Sequence, residues 1–257
     1  MLDKAGRGLY WTIATGRAAE LGGPYVKLFE SYLNELLQAG GIVAPRYYPG
    51  PKFRDGAEVC DGLFVEGSRL VMCEYKSSVL PVAAKLSVDP GLLSEKIDLA
   101  FVKGDDEGRK GVAQIRRSIE RILDGDEILG IPTREWTTIH PAMVCVDAAM
   151  NCPGMSAYIN EQFDRPRRRG HRIVIPPVVL IDVEDFESLV PDLASHSFAE
   201  MLDSYYYAYS RGPLGQVVRF RRMNIPFLDG TPAPTSDPVE TRFKAFFAEL
   251  GPRVFGL

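Results

Sequence analysis

The chain has 257 residues, of which 46% are hydrophobic and 25% charged, and its formal net charge is −4. This composition excludes a disordered polypeptide and suffices for one large domain, or one domain with an appendage, around a sizeable core. No apolar run approaches the roughly 18 residues of a membrane span, and the mild acidity leaves any contact with nucleic acid to local basic patches.

The N-terminal stretch lacks the uninterrupted apolar core of a signal peptide. Cys60, Cys73, Cys145 and Cys152 have no zinc-ligand spacing and sit mostly in apolar runs, so a reduced, cytoplasmic protein with buried thiols and no membrane partner is expected. Residues 1–22 are glycine-rich and read as an irregular or broken helical lead-in. Pro24 opens a helix to about Gln38, with Val26, Phe29, Leu33, Leu36 and Leu37 at helical spacing, closed by Gly40-Gly41. Residues 42–60, broken by Pro45, Pro49 and Pro51, lead into a predicted hairpin of 61–65 and 69–77 with Glu66-Gly67-Ser68 as its turn.

Asp89 and Pro90 cap a predicted helix to about Phe101, and residues 104–108 form a polar loop. Residues 109–123 read as an amphipathic helix with Val112, Ile115, Ile119 and Ile122 on one side. A strand over 140–148, a short helix over 155–163 and a basic loop over 164–172 follow. Next come a strand over 172–181 interrupted by Pro176-Pro177, a mostly helical stretch over 183–209 and an edge strand over 217–222. Residues 229–238 are a proline-rich linker, and 240–250 a terminal amphipathic helix. The alternation predicts an α/β fold with a central mixed sheet flanked by helices on both faces and a C-terminal helical addition. The domain spans 1–228 with its core at about 24–181, and 229–257 form the linker and C-terminal helix.

The hairpin holds the most informative residues. If Gly67-Ser68 is a two-residue loop, positions whose numbers sum to 135 face each other, and Asp61 faces Glu74. The strand period of two puts Lys76 on the same face as Glu74. The opposite face carries Phe64 opposite Val71 and Gly62 opposite Cys73, which makes the pair a central one, buried between layers. Two carboxylates and an ammonium at one point suit a hard divalent cation, with the Tyr75 backbone carbonyl between Glu74 and Lys76 as a further oxygen. A cross-strand salt-bridge cluster would explain Lys76, but not two directly opposed acids.

This D-x12-E-x-K arrangement of Asp61 and Glu74-Tyr75-Lys76 resembles the PD-(D/E)xK, or restriction-endonuclease-like, nuclease superfamily. The resemblance covers roughly residues 24–123, and extends to 138–181 if the later core strands match. It departs at Cys60, where the family loosely keeps a proline. It implies Mg²⁺- or Mn²⁺-dependent hydrolysis of DNA phosphodiesters, as in restriction or phage defence. Asp61 and Glu74 would hold the metal, and Lys76 would orient water or stabilise the transition state. Glu30, on the preceding helix, matches the family's helical acid, and Gln114 matches a glutamine that several branches carry after the hairpin. Glu30 also stands out by itself, as a carboxylate on the apolar side of its helix. Gln114 falls on the far flank of its helix from the apolar stripe.

Glu58 and Asp55 are competing acids assigned to a solvated loop. Three basic clusters suit phosphate contacts: Arg116 and Arg117 with their helical neighbours, Arg167, Arg168 and Arg169, and Arg219 and Arg221. Tyr205, Tyr206, Tyr207 and Tyr209 suit packing within a helix better than base stacking, and His140, His171 and His196 form no ligand pair or triad. The expected partner is nucleic acid, DNA before RNA, with a homodimer or a regulatory protein as further partners. The alternatives are an RNase using the same residues, and a non-catalytic nucleic-acid-binding or assembly module on the same fold.

Overall fold

The computed structural model describes residues 26–103, 111–152, 154–164, 166 and 172–206. Its five strands are β1 (Tyr47–Pro49), β2 (Gly62–Glu66), β3 (Arg69–Lys76), β4 (Thr138–Cys145) and β5 (Val179–Asp182), and they form one sheet in that order. β1, β2 and β3 run antiparallel, whereas β3, β4 and β5 run parallel. The sheet is therefore mixed, with β3 at its centre.

The hairpin register is the expected one. Gly62 pairs with Cys73, Phe64 with Val71 and Glu66 with Arg69, so the sums are 135 throughout. Gly67 has φ 64°, which suits the first central position of a type II′ turn, where glycine has no Cβ to clash.

Seven α-helices cover the sheet among the described residues. They are α1 (26–39), α2 (Val82–Lys85), α3 (Pro90–Ile97), α4 (Val112–Leu123), α5 (Met155–Phe163), α6 (Val183–Leu193) and α7 (Phe198–Tyr205). On one face, Leu33 and Leu37 of α1, Phe186 of α6 and Phe198 of α7 pack with Phe64, Val71, Tyr75 and Val144. On the other, Ile115 and Ile119 of α4 and Ile159 of α5 pack with Leu63, Met72 and Met143. The alternation of β3 feeds both cores, as its run of buried residues requires. The α/β fold with a mixed sheet flanked on both faces is thus present.

Several boundaries differ from the sequence reading. Asp89 caps α3 by accepting the Gly91 N–H, but after Ile97 the helix widens into a π-helical segment, Asp98–Val102. β4 starts two residues early and ends at Cys145, and Ala148–Asn151 is a 3₁₀ turn capped by Asp147. Pro141 lies within β4, and the edge its missing N–H would face is the one where Ile139 N–H bonds Val174. There the neighbouring chain is broken by Pro176-Pro177, so no ladder bond is forgone. That same break confines the expected strand over 172–181 to Val179–Asp182, plus an isolated bridge at Val174. The described part of the stretch over 183–209 holds two helices, because Ser197 caps a new one by accepting the Glu200 N–H. Val26, expected in the apolar stripe, is exposed, as is Cys152, whereas the other three cysteines are buried.

The lead-in, Pro24, the loop over 104–108, most of the basic loop over 164–172, the edge strand over 217–222, the linker and the terminal helix lie outside the described residues. Among the described residues, no helix is long and apolar enough to cross a membrane.

Glu66 ties the hairpin to the helical layer. Its carboxylate accepts the Ser197 hydroxyl (2.5 Å) and the backbone N–H groups of Phe198 and Ala199 at the start of α7. It also accepts Arg46 Nε and Nη2, while the same guanidinium donates to the carbonyls of Leu193 and His196. Burial alone would raise Glu66, but these donors outweigh it and hold the carboxyl below its ordinary value. A group lowered in the folded state contributes stability above its unfolded pKa and loses it as pH falls through the folded one. Losing these partly exposed hydrogen bonds in Glu66→Ala should cost about 1.5–3 kcal/mol in urea unfolding at neutral pH. Glu66→Gln should flatten the loss of melting temperature below about pH 4. A wild-type stability and acid slope in both variants would contradict this role.

Candidate active site

The site forms where β2 begins and β3 ends, because an antiparallel pair brings those two ends together. Asp61 immediately precedes β2, one step beyond the last paired residues, Gly62 and Cys73. Beyond Gly62 the chain turns away from β3, since the Asp61 carbonyl accepts the Gly50 N–H and Val59 N–H bonds Pro51. The Asp61 side chain takes over from the missing strand and accepts the Tyr75 N–H on Oδ2 at 2.6 Å. In a strand, the N–H and C=O of one residue point to the same edge. The Tyr75 carbonyl therefore faces the Asp61 side, where a carbonyl ligand is expected.

Glu74 is only 1% exposed and Lys76 9%. Lys76 Nζ bonds Glu74 Oε1 at 2.7 Å, and the Gly111 N–H reaches the same oxygen at 3.2 Å. α4 supports both acids, because Gly111 leads into it and Ser118 Oγ donates to the carbonyl of Val59, two residues before Asp61. On the other face, Tyr75 and Tyr47 hydroxyls lie 3.0 Å apart, and Tyr47 donates to Asn34 of α1. Asn34 is one turn after Glu30, so this relay fixes the helix that carries Glu30 to the sheet. Gly62 is required beneath it, since a Cβ there would overlap the Tyr75 hydroxyl and approach that of Tyr47 to 2.7 Å.

The electrostatics follow from burial and like charge. Burial, then the charge of Glu74, push Asp61 up to about 8, against the relief given by the Tyr75 N–H and Lys76. Burial would lower Lys76, but Glu74 and Asp61 outweigh it and hold the ammonium above its ordinary value. Lys76 is therefore a fixed cation that donates, not a base. Glu30 is half-buried and raised by burial and then by Glu58 and Glu74, and Glu58 is raised by burial and then by Glu74. Lys76 eases all three raised acids, helped by Lys27 at Glu30 and by Lys52 at Glu58.

Asp61, Glu74 and Lys76 lie together where β2 begins and β3 ends, and Glu30 is near enough to feel the charges of Glu74 and Lys76. Glu58 is exposed, as expected for a solvated loop, in the turn over 50–61 beside Lys52. Asp55 instead pairs with Arg121 at the surface. Gln114 is half-buried in the first turn of α4, where its N–H bonds the Gly111 carbonyl. Arg116 pairs with Glu120 and Asp164, and Arg117 is exposed. Arg167, Arg168, Arg169, Arg219 and Arg221 lie outside the described residues, as do His171, Tyr207 and Tyr209. His140 is buried within β4, 3.5 Å from Asp203, and Tyr205 packs in the core.

Among the described residues, no group of three or more His, Cys, Asp or Glu side chains converges closely enough to ligate one ion. The candidate donor set is the pair Asp61 and Glu74, near enough that the charge of Glu74 adds to burial in raising Asp61. It fits Mg²⁺, which is bound through one or two carboxylates and keeps several waters for exchange with substrate oxygens. A cation there would also relieve the repulsion that raises Asp61.

A carboxyl raised in the folded state binds a proton that the unfolded chain releases, so stability falls as pH rises through that window. In chelator, the wild-type melting temperature should fall between about pH 4 and about pH 8. Asp61→Asn, which keeps an acceptor for the Tyr75 N–H, should be flatter over this range, and Mn²⁺ should raise the wild type alone. An equal slope in both proteins would contradict the paired-carboxylate account. Neither a family model, a curated protein nor a solved structure matches this chain.

Proposed function

We propose that this chain is a Mg²⁺-dependent deoxyribonuclease with a restriction-endonuclease-like domain of the PD-(D/E)xK type, used in restriction or phage defence. The observation that carries the reading is the pair of neighbouring acids Asp61 and Glu74 at the end of a buried hairpin, with Lys76 Nζ 2.7 Å from Glu74. The helix before the hairpin, which brings Glu30, and α4 after it support the same reading.

Asp61 and Glu74 would hold the cation, aided by the Tyr75 carbonyl, and Glu30 would add negative potential beside it. When bound, Mg²⁺ supplies the Lewis acid that acidifies water and neutralises charge on the scissile phosphate. Lys76, kept protonated, aims its ammonium at the attacking water or at the charge that develops on phosphorus oxygens. Burial by both helical layers excludes bulk water and strengthens each of these interactions. Arg117, with Arg167, Arg168, Arg169, Arg219 and Arg221, grips the phosphate backbone in a salt-sensitive manner.

The lack of a third converging ligand among the described residues favours a second reading, a nucleic-acid-binding or assembly module that does not cleave. One assay separates the readings: incubation with duplex DNA, single-stranded DNA and RNA, with Mg²⁺, Mn²⁺ or chelator. Asp61→Ala, Glu74→Ala and Lys76→Ala should each lose on the order of 10²–10³-fold in metal-dependent DNA nicking. Full activity of Lys76→Ala would sink the mechanism, RNA cleavage alone would move the substrate, and binding without cleavage would favour the second reading.

A further inference from the structure

We propose that Gly111 is a positioning residue for Glu74, through a backbone N–H that a side chain at this place would remove. The effect on turnover rests on the nuclease reading above; the contact itself does not. Gly111 N–H and Lys76 Nζ both bond Glu74 Oε1, at 3.2 and 2.7 Å, from α4 and β3 respectively. Two donors on one oxygen fix the rotamer and the plane of the carboxylate, and so the direction of its other oxygen. That direction decides whether a cation shared with Asp61 can be reached.

The chain makes an unusual choice to place this N–H. Gly111 stands at the N-cap of α4 with φ 64° and ψ −141°, a combination essentially reserved for glycine, and no side chain caps the helix. Ser, Thr, Asp or Asn in extended conformation would start a helix better. Space is equally restrictive, since a Cβ on Gly111 would overlap the Phe101 carbonyl oxygen, whose carbon is 2.6 Å away. The π-helical segment Asp98–Val102 brings that carbonyl in, and π turns commonly serve to place a group where a regular helix would not. The backbone at 111 is thus threaded between Phe101 and Glu74, which only a residue without a side chain allows.

Two measurements test this. Gly111→Ala should lower kcat for DNA nicking, and weaken Mn²⁺ binding, by on the order of 10–100-fold, with KM for DNA little changed. Gly125→Ala is the control for strain alone: Gly125 ends α4 with φ 106°, and a Cβ there meets nothing within 4 Å. It should lose stability but keep its kcat and metal affinity. Independently of activity and of whether Gly111→Ala folds, the Gly111 amide proton of the wild-type protein should resonate downfield, and move upfield in Glu74→Ala. An amide that ignores Glu74→Ala, or a folded Gly111→Ala with wild-type kcat and Mn²⁺ affinity, would overturn the proposal. A responsive amide in a protein without nuclease activity would support the positioning role and reject the nuclease reading.

Discussion

Two carboxylates held beside each other at the end of a buried strand pair are the constraint on which the rest of this structure turns. The end of the β2–β3 register at Gly62 and the Tyr75 N–H bond to Asp61 bring that carboxylate beside the buried Glu74, where little water screens their charges. Every nearby donor is then aimed at their oxygens. Tyr75 N–H serves Asp61, while Lys76 and Gly111 N–H serve Glu74. These donors lower Asp61 only in part, and burial together with the charge of Glu74 holds it above its ordinary value. An arrangement that keeps such a cost in a core suits a site whose missing charge arrives with a ligand.

Rigid supports sit behind each member. Asn34, Tyr47 and Tyr75 link α1 to the back of β3, so the helix that bears Glu30 cannot slide along the sheet. Ser118 fixes the approach to Asp61, and Asp147 accepts the Leu80 N–H and Lys85 Nζ, which fastens the segment that follows Lys76. At the far end of the hairpin, Glu66 and Arg46 close α6 and α7 onto the same two strands. The hairpin is therefore clamped at both ends, and the site inherits that stiffness.

Much of the site was legible because a strand has a period of two and a two-residue loop leaves one register. Gly67 fixed the turn, and Asp61, Glu74 and Lys76 followed by arithmetic. Glu30 was legible as a charge on an apolar stripe, and the α5 limits and the Asp89 cap as local patterns. The path of the turn over 50–61, which presents Asp61, was hidden, because no local period encodes it. The Gly111 N–H was hidden for another reason: backbone donors carry no letter, and a glycine before a helix has many uses. The break between α6 and α7 could have been read, since Ser197 and Glu200 are spaced as a capping box, but the apolar period across it runs on.

The central claim is that Asp61 and Glu74 are completed by a divalent cation. The most direct measurement is anomalous diffraction from a crystal of the full chain soaked in millimolar Mn²⁺. The account predicts a peak between the two carboxylates, at about 2.0–2.3 Å from an oxygen of each, that disappears in Glu74→Ala. A well-ordered site with both carboxylates in place and no peak between them would contradict it.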